Sequence, residues 1–311
     1  MLLCVLGAAL PASAATTDTY PARVVRILTA EVGGGADFVA RVIAQGLTEA
    51  LRQQVIIENR TSVLSIEIAS RATPDGHTLL LYGSALWLMP YIRSKVPWDP
   101  IRDFAPVTVP ASSPNIVAVH QGLPVRSVQE LVSLAKAKPG ELTYGSSFAG
   151  ATHIATELFK SMANVDIRHI PYKGNGLALN ALVAGEVQVM FPNAASATPH
   201  IRSGRIRGLA VTSPQPSPLA PGIPTVAASG LPGYESVSFH ALMAPARTPR
   251  AIVARLHDIV ALYVQGEAVG KRLLAAGVEP VGNSPEDLAR TIRSEMQRVG
   301  KVISAAGIRA D

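Results

Sequence analysis

The chain has 311 residues, of which 48% are hydrophobic and 16% are charged, and its formal net charge is +6 at pH 7. This length predicts about two domains, and the apolar content excludes an intrinsically disordered chain. The basic residues are scattered rather than clustered, so the sequence does not indicate a nucleic-acid-binding surface.

The amino-terminal segment MLLCVLGAALPASAA is uncharged and ends in small residues. This pattern is typical of the apolar and cleavage regions of a secretory signal, although no basic residue precedes it. We therefore expect residues 1–14 to be a signal peptide and the mature protein to be periplasmic; a short buried helix is the alternative. The only cysteine, Cys4, would be removed with the signal, so the mature chain would have no disulfide. No later apolar run is long enough to span a bilayer.

Three glycines, Gly33, Gly34 and Gly35, follow a predicted strand at Val24–Leu28 and precede a predicted helix. The helix has apolar residues at helical spacing and is followed by a second strand at Val55–Ile57, so the segment is a β-α-β unit. The first N–H groups of a helix attract anions, and a glycine turn leaves them accessible to a carboxylate or phosphate. Alternatively, the glycines serve only a tight turn that needs positive φ.

The alternation of strands and helices continues through the middle of the chain. A strand at Thr78–Tyr82 follows a PDGH turn, and a capping box at Ser127–Glu130 begins a helix. A second turn of small residues, SSFAGATH, follows a strand at Leu142–Gly145. Further strands are predicted at Ile167–Tyr172, Val187–Phe191 and Ile206–Thr212.

After the proline-rich segment Ser213–Pro224, a strand at Ser236–Ala244 is followed by helices that begin after Thr248 and at Ser284. This order predicts two α/β lobes joined by crossing segments near Pro110–His120 and Ser236–Pro245. We assign residues 20–115 and 240–311 to lobe 1 and residues 116–239 to lobe 2. Ligands of open α/β sheets bind beyond the carboxyl ends of the strands, so both small-residue turns should face the cleft.

Many segments together resemble one family over essentially the whole mature chain. They include YPARVVRILT, GGGADFVAR, VIIENR, PDGHTLLL, VPWDPIRDFAPVT, SGRIRGLAVTS and IPTVAASGLPGYE, in this order. The chain resembles the Bug family, the extracytoplasmic solute receptors of tripartite tricarboxylate transporters.

The resemblance implies an α/β Venus-flytrap fold that closes on a small carboxylic acid and delivers it to a membrane permease. It implies a monomer that needs no cofactor or metal. The implied ligand-binding residues lie in four places. They are Gly33, Gly34, Gly35 and Asp37 at the first turn, Ser84 after the strand at Thr78–Tyr82, Ser146, Ser147, Thr152 and His153 at the second turn, and Asn193 and Ser196 at the start of a later helix.

Two departures from the family pattern bear on the ligand. Thr61–Glu67 stands where family members commonly have a glycine-rich loop, and Pro192 stands where an aspartate often precedes the asparagine. Loss of that aspartate removes a partner for an amino group, so an amino-acid ligand is less favoured.

Other classes of function have less support. A hydrolase would need a recognisable nucleophile, and no G-x-S-x-G elbow occurs. The histidines lack H-E-x-x-H spacing, so a zinc site is unsupported.

A periplasmic receptor that signals to a sensor protein is the main alternative to transport. Trp87 and Trp98 are expected in the core rather than against an aromatic ligand.

Overall fold

The computed structural model describes residues 20–309, except residues 31 and 34. The predicted signal peptide with Cys4, and Gly34 of the first turn, therefore lie outside the described residues. Within the described part of the chain, no helix is long and apolar enough to cross a membrane.

The first sheet has six strands, and we call it with its helices lobe 1. The strand order is β11 (Glu279–Pro280), β4 (Phe104–Pro114), β10 (Val237–Pro245), β3 (Thr78–Tyr82), β1 (Val25–Thr29) and β2 (Val55–Asn59). Strands β1, β2 and β3 are parallel, whereas β10 runs antiparallel to β3 and β4. The amino-terminal elements of this lobe are β1 (Val25–Thr29), α1 (Gly35–Leu51), β2 (Val55–Asn59), α2 (Ser62–Ser70), β3 (Thr78–Tyr82), α3 (Ala85–Ile92) and β4 (Phe104–Pro114).

The second sheet has five strands in the order β7-β6-β8-β5-β9, and we call it with its helices lobe 2. Its elements are β5 (Ile116–His120), α4 (Val128–Ala137), β6 (Thr143–Ser147), α5 (Ala151–Ala163), β7 (Arg168–Tyr172), α6 (Asn175–Ala184), β8 (Val189–Met190), α7 (Ala194–Arg202) and β9 (Ile206–Val211). The chain then returns to lobe 1 with β10 (Val237–Pro245), α8 (Arg250–Gln265), α9 (Glu267–Ala275), β11 (Glu279–Pro280) and α10 (Pro285–Ala305).

Apolar side chains cover both faces of the lobe 1 sheet. Ile27 of β1 packs in a cluster with α1 and α8, whereas the next residue, Leu28, packs with α3 and α10 on the opposite face. This alternation follows from the two-residue period of a strand. The carboxyl-terminal helix α10 is thereby held against α3, which places both helices beside the cleft.

The two crossings between the lobes meet at Thr212, which follows β9. Asn115 N–H donates to the Thr212 hydroxyl at 2.8 Å, and Thr212 N–H donates to the Asn115 carbonyl at 2.9 Å. Ser236 N–H donates to the Thr212 carbonyl at 3.0 Å. The chain therefore passes between the sheets at Asn115 and Ser236, and both passages are hydrogen-bonded to one residue.

Most predicted elements are present, and the differences have local causes. Residues 62–70 form helix α2 rather than the loop that the resemblance implied, since this chain has no glycine there. Ile66 is buried in the core, and Ser65 donates to the Thr29 carbonyl at 2.6 Å. Strand β4 was not predicted in full, because much of it is threonine, serine and proline.

The contact between Gly277 and Ala195 of α7 gives a test of how the lobes are held together. Gly277 has φ +80, and a Cβ added there would overlap the Ala195 Cβ. Gly222 also has φ +80, but open space surrounds it. We predict that Gly222→Ala lowers the free energy of unfolding by about 1 to 2 kcal/mol, because alanine disfavours the left-handed conformation. Gly277→Ala should lower it by about 1 to 3 kcal/mol more, because the added Cβ also overlaps Ala195. Denaturant unfolding of both variants measures the difference, and equal losses would show that the interlobe contact is unimportant.

Candidate functional site

A cavity of about 470 Å³ lies between the lobes. It is lined by the segments that follow β1 and β3, by α3, by the start of α5, by residue 236 and the first half of β10, and by α10. Both lobes and one crossing segment therefore contribute to a single cleft.

Three helices begin at this cavity. Ala36 in the first turn of α1, Ser84 and Ala85 at the start of α3, and Gly150 and Ala151 at the start of α5 all line it. The first N–H groups of a helix lack partners within the helix, and the dipole gives that end a partial positive charge. The arrangement therefore suits a carboxylate or another small anion.

Asp37 organises the first turn. Its carboxylate accepts from Gly33 N–H at 3.0 Å and from the Asn59 amide at 2.9 Å, and it forms an ion pair with Arg41 at 3.0 Å. Burial alone would raise the pKa of Asp37, but the hydrogen bonds from Arg41, Gly33 and Asn59 outweigh it and hold the pKa below its usual value. Gly33 has φ +85, which favours glycine. Asp37 thus supports the turn from within, and its oxygens already have partners.

Gly35, the first residue of α1, lies against His240 of β10. A Cβ on Gly35 would be 3.1 Å from the His240 Cε1 atom, so the glycine leaves room for the imidazole. His240 lines the cavity, and its Nδ1 atom is buried without a hydrogen-bond partner among the described residues. Burial lowers the pKa of His240 to about 4, so its ring is neutral near pH 7.

The predicted residues of the second turn are hydrogen-bonded within lobe 2. Ser147 and Thr152 donate to the Asn175 side-chain oxygen at 3.1 and 2.8 Å. Ser146 Oγ lies 2.8 Å from Nε2 of His169. These bonds hold the turn so that the backbone of Gly150 and Ala151, rather than these side chains, lines the cavity.

His153 also supports this turn. Its Nδ1 atom accepts from Ala149 N–H at 3.0 Å, and its ring stacks on His169 with 4.1 Å between ring centroids. Ala149 has φ 57, a conformation that needs such support. Burial, assisted by the nearby His169, lowers the pKa of His153 to about 4, so Nδ1 remains an acceptor at neutral pH.

The last predicted pair, Asn193 and Ser196, lies behind the cleft. Asn193 caps α7 by accepting from Ala195 N–H at 3.0 Å, and its amide donates to Ser113 near the crossing. Ser196 is exposed. Neither residue lines the cavity in this structure. Of the predicted side chains, the structure places Ser84 in the cavity wall, with its buried hydroxyl beside the Glu295 carboxyl.

Glu295 of α10 lines the cavity and was not predicted. Only 6% of its surface is exposed, and it accepts from the Trp87 indole N–H at 2.7 Å. Burial raises its pKa to about 7, although Trp87, the Ser84 hydroxyl and the charge of Arg298 oppose that rise. A signal was present in the sequence, because Glu295 interrupts the apolar face that Leu288, Ile292 and Val299 form at helical spacing.

The rest of the cavity wall is mostly apolar. Leu88, Met89 and Ile92 of α3 lie on one side, and Ile154 of α5 and Val299 of α10 complete this part of the wall. Such a surface fits the hydrocarbon part of an organic acid.

Glu295 predicts a specific pH dependence of stability. Its pKa is about 7 in the folded protein against an ordinary value of 4.5, so the unfolded chain releases the proton first. The free energy of unfolding should therefore fall between about pH 4.5 and 7, by up to roughly 3 kcal/mol. Glu295→Gln keeps an acceptor for Trp87 and should lose this dependence, which makes it more stable than wild type at pH 8.

Denaturant unfolding at pH 5 and pH 8 measures this effect. Glu286→Gln is the matched control, because Glu286 lies on the same helix but is exposed. Parallel pH profiles for wild type and Glu295→Gln would contradict the buried-acid assignment.

Comparison with known proteins confirms the family resemblance. The sequence model of the tripartite tricarboxylate transporter family receptor matches residues 39–308. Protein BugT of Bordetella pertussis is 33% identical, over 99% of this chain and 95% of BugT.

Two solved structures of relatives hold carboxylates. The Rpa4515 protein of R. palustris with adipate is 36% identical, with a TM-score of 0.75 over 94% of this chain and 100% of that one. MatC (Rpa3494) from Rhodopseudomonas palustris, with bound malate, is 29% identical, with a TM-score of 0.70 over 91% of this chain and 100% of that one. The chain therefore belongs to the tripartite tricarboxylate transporter receptor family.

Proposed function

We propose that this protein is a periplasmic receptor that binds a small carboxylate between its lobes and delivers it to the permease of a tripartite tricarboxylate transporter. The observation that carries the proposal is the meeting of three helix N-termini, those of α1, α3 and α5, at one cavity. The dipoles of these helices supply the positive potential that a carboxylate needs. The first turns of α1 and α5 also offer N–H groups, whereas the Leu86 and Trp87 N–H groups of α3 already donate to the Gly83 and Ser84 carbonyls.

Buried polar atoms in the cavity wall support the same proposal. His240 Nδ1 is buried without a hydrogen-bond partner among the described residues, and the buried Ser84 hydroxyl lies beside the Glu295 carboxyl. Buried polar atoms in native proteins usually have a partner, so a bound ligand or ordered water is expected beside them. Both atoms can donate to a carboxylate, since a neutral imidazole can carry its proton on Nδ1.

The comparisons support a carboxylate over other anions. The family is one of transport receptors, and the two relatives described above hold adipate and malate. These proteins bind rather than transform their ligands, and we infer the same for this chain. We also infer that it acts as a monomer, since one chain forms the whole cavity wall.

Closure of the lobes would let the permease distinguish the ligand-bound receptor from the free one. A ligand that contacts α1 and α3 in lobe 1 and α5 in lobe 2 binds the closed form better and so shifts the population toward it. The two hydrogen-bonded crossings at Thr212 are where the backbone would bend.

A thermal-shift panel of adipate, malate, hexanoate and benzoate tests the proposal, because a ligand at 100 times its Kd adds about 2.7 kcal/mol of stability. Ala36→Asp places a carboxylate at the start of α1, inside the cavity. We expect this variant to fold as well as wild type, because acidic residues favour a helix N-terminus. It should bind the best ligand at least 10-fold more weakly, as after loss of a charge-assisted hydrogen bond.

Ala268→Asp is the matched control, because Ala268 lies in the first turn of α9 but is exposed and away from the cavity. It should bind like wild type. Unchanged affinity in a folded Ala36→Asp protein would contradict a carboxylate site at the α1 N-terminus.

A further inference from the structure

The carboxylate site already contains a carboxyl group. Glu295 lines the same cavity as the three helix N-termini, and it is buried next to Ser84, the residue that precedes α3. Its one hydrogen bond of good geometry is from Trp87. None of the ion pairs found among the described residues includes Glu295.

The charged groups around Glu295 offset the effect of its burial only in part. The positive charge of Arg298, on the same helix, lowers the pKa of Glu295, whereas the Glu235 carboxylate before β10 raises it. Arg298 also donates to the Glu235 carbonyl at 2.6 Å. Arg93, which directly follows α3, lines the cavity but is exposed.

Among the described residues, the other packed elements add no unpaired cation. From β10, His240 is neutral near pH 7 because burial lowers its pKa to about 4. Helix α5 carries His153, which accepts from Ala149 N–H, and Lys160, which pairs with Glu157 at 2.7 Å. Strand β4 has no titratable side chain in its sequence FAPVTVPASSP.

An ionised Glu295 and a ligand carboxylate would therefore be two negative charges in one cavity with a mostly apolar wall. Like charges at a shared site favour protonation of one of them. The protonated acid is neutral and gains an O–H donor, which can bond to the ligand or to Ser84.

We propose that Glu295 is protonated in the ligand complex, so that binding of the carboxylate takes up a proton and weakens as the pH rises. The inference rests on the proposed function, because it concerns the same cavity, and it adds a specificity-determining residue and a pH dependence.

The expected size of the effect follows from linkage. Glu295 has a pKa of about 7 in the free protein, so about nine-tenths of it is ionised at pH 8 and about one-tenth at pH 6. Binding should take up about one proton at pH 8 and about a tenth of a proton at pH 6. The Kd should be roughly tenfold higher at pH 8 than at pH 6. Small carboxylic acids such as adipate are mostly ionised at both values. Comparison with Glu295→Gln removes the contribution of the ligand's own second ionisation at pH 6.

Isothermal titration calorimetry of the whole protein with adipate measures both quantities. Titrations in two buffers of different ionisation enthalpy, at pH 6 and pH 8, give the number of protons taken up. If adipate does not bind, the tightest ligand among malate, hexanoate and benzoate replaces it. Glu295→Gln should bind at both pH values with one Kd and take up no proton. Glu286→Gln, the exposed control on the same helix, should behave like wild type.

The outcomes separate the two proposals. Binding by wild type without proton uptake at pH 8 would overturn this inference and leave the proposed function intact. Wild-type pH dependence in Glu295→Gln would overturn the assignment to Glu295. No binding of any of the four acids at either pH would contradict the proposed function and this inference with it.

Discussion

An anion in a closed cavity needs hydrogen-bond donors that replace water, and this requirement explains how the two lobes are arranged. In each lobe, a turn follows the carboxyl end of a parallel strand and leads into a helix, β1 to α1 in lobe 1 and β6 to α5 in lobe 2. The start of α3 adds a third helix end beside the same space. Because the donors belong to the backbone, their positions are fixed before the ligand arrives.

The polar side chains of the turns have a different task from the backbone that they support. Asp37 holds the first turn through Gly33 and Asn59. In the second turn, Thr152 bonds to Asn175, and His153 bonds to the Ala149 N–H. At these two turns, small residues therefore line the cavity, and the polar side chains lie behind them. A rigid turn of this kind binds with less loss of conformational entropy than a loop that orders on binding.

The sequence predicted the β-α order, the two lobes and the two turns well, because strand and helix periods and turn glycines are local signals. It located Ser84 in the wall of the cavity. It could not show that Asp37, Ser147 and Thr152 bond to other groups of their own lobes, Asp37 to Asn59 and both others to Asn175, since that depends on the direction of each side chain. Glu295 was missed because its partner Trp87 is 208 residues away in the chain. The sequence shows that Glu295 interrupts the apolar face of α10. Only the fold shows that this face borders the cavity.

In the proposed complex, the backbone at the starts of α1 and α5 binds a carboxylate. A crystal structure of the protein with adipate, or with the tightest acid of the panel, tests this arrangement. We predict a carboxylate between the lobes, with its oxygens within about 2.7 to 3.2 Å of N–H groups in the first turns of these helices, directly or through one ordered water. A ligand bound elsewhere, or one whose carboxylate is held only by arginine or lysine side chains, would contradict it.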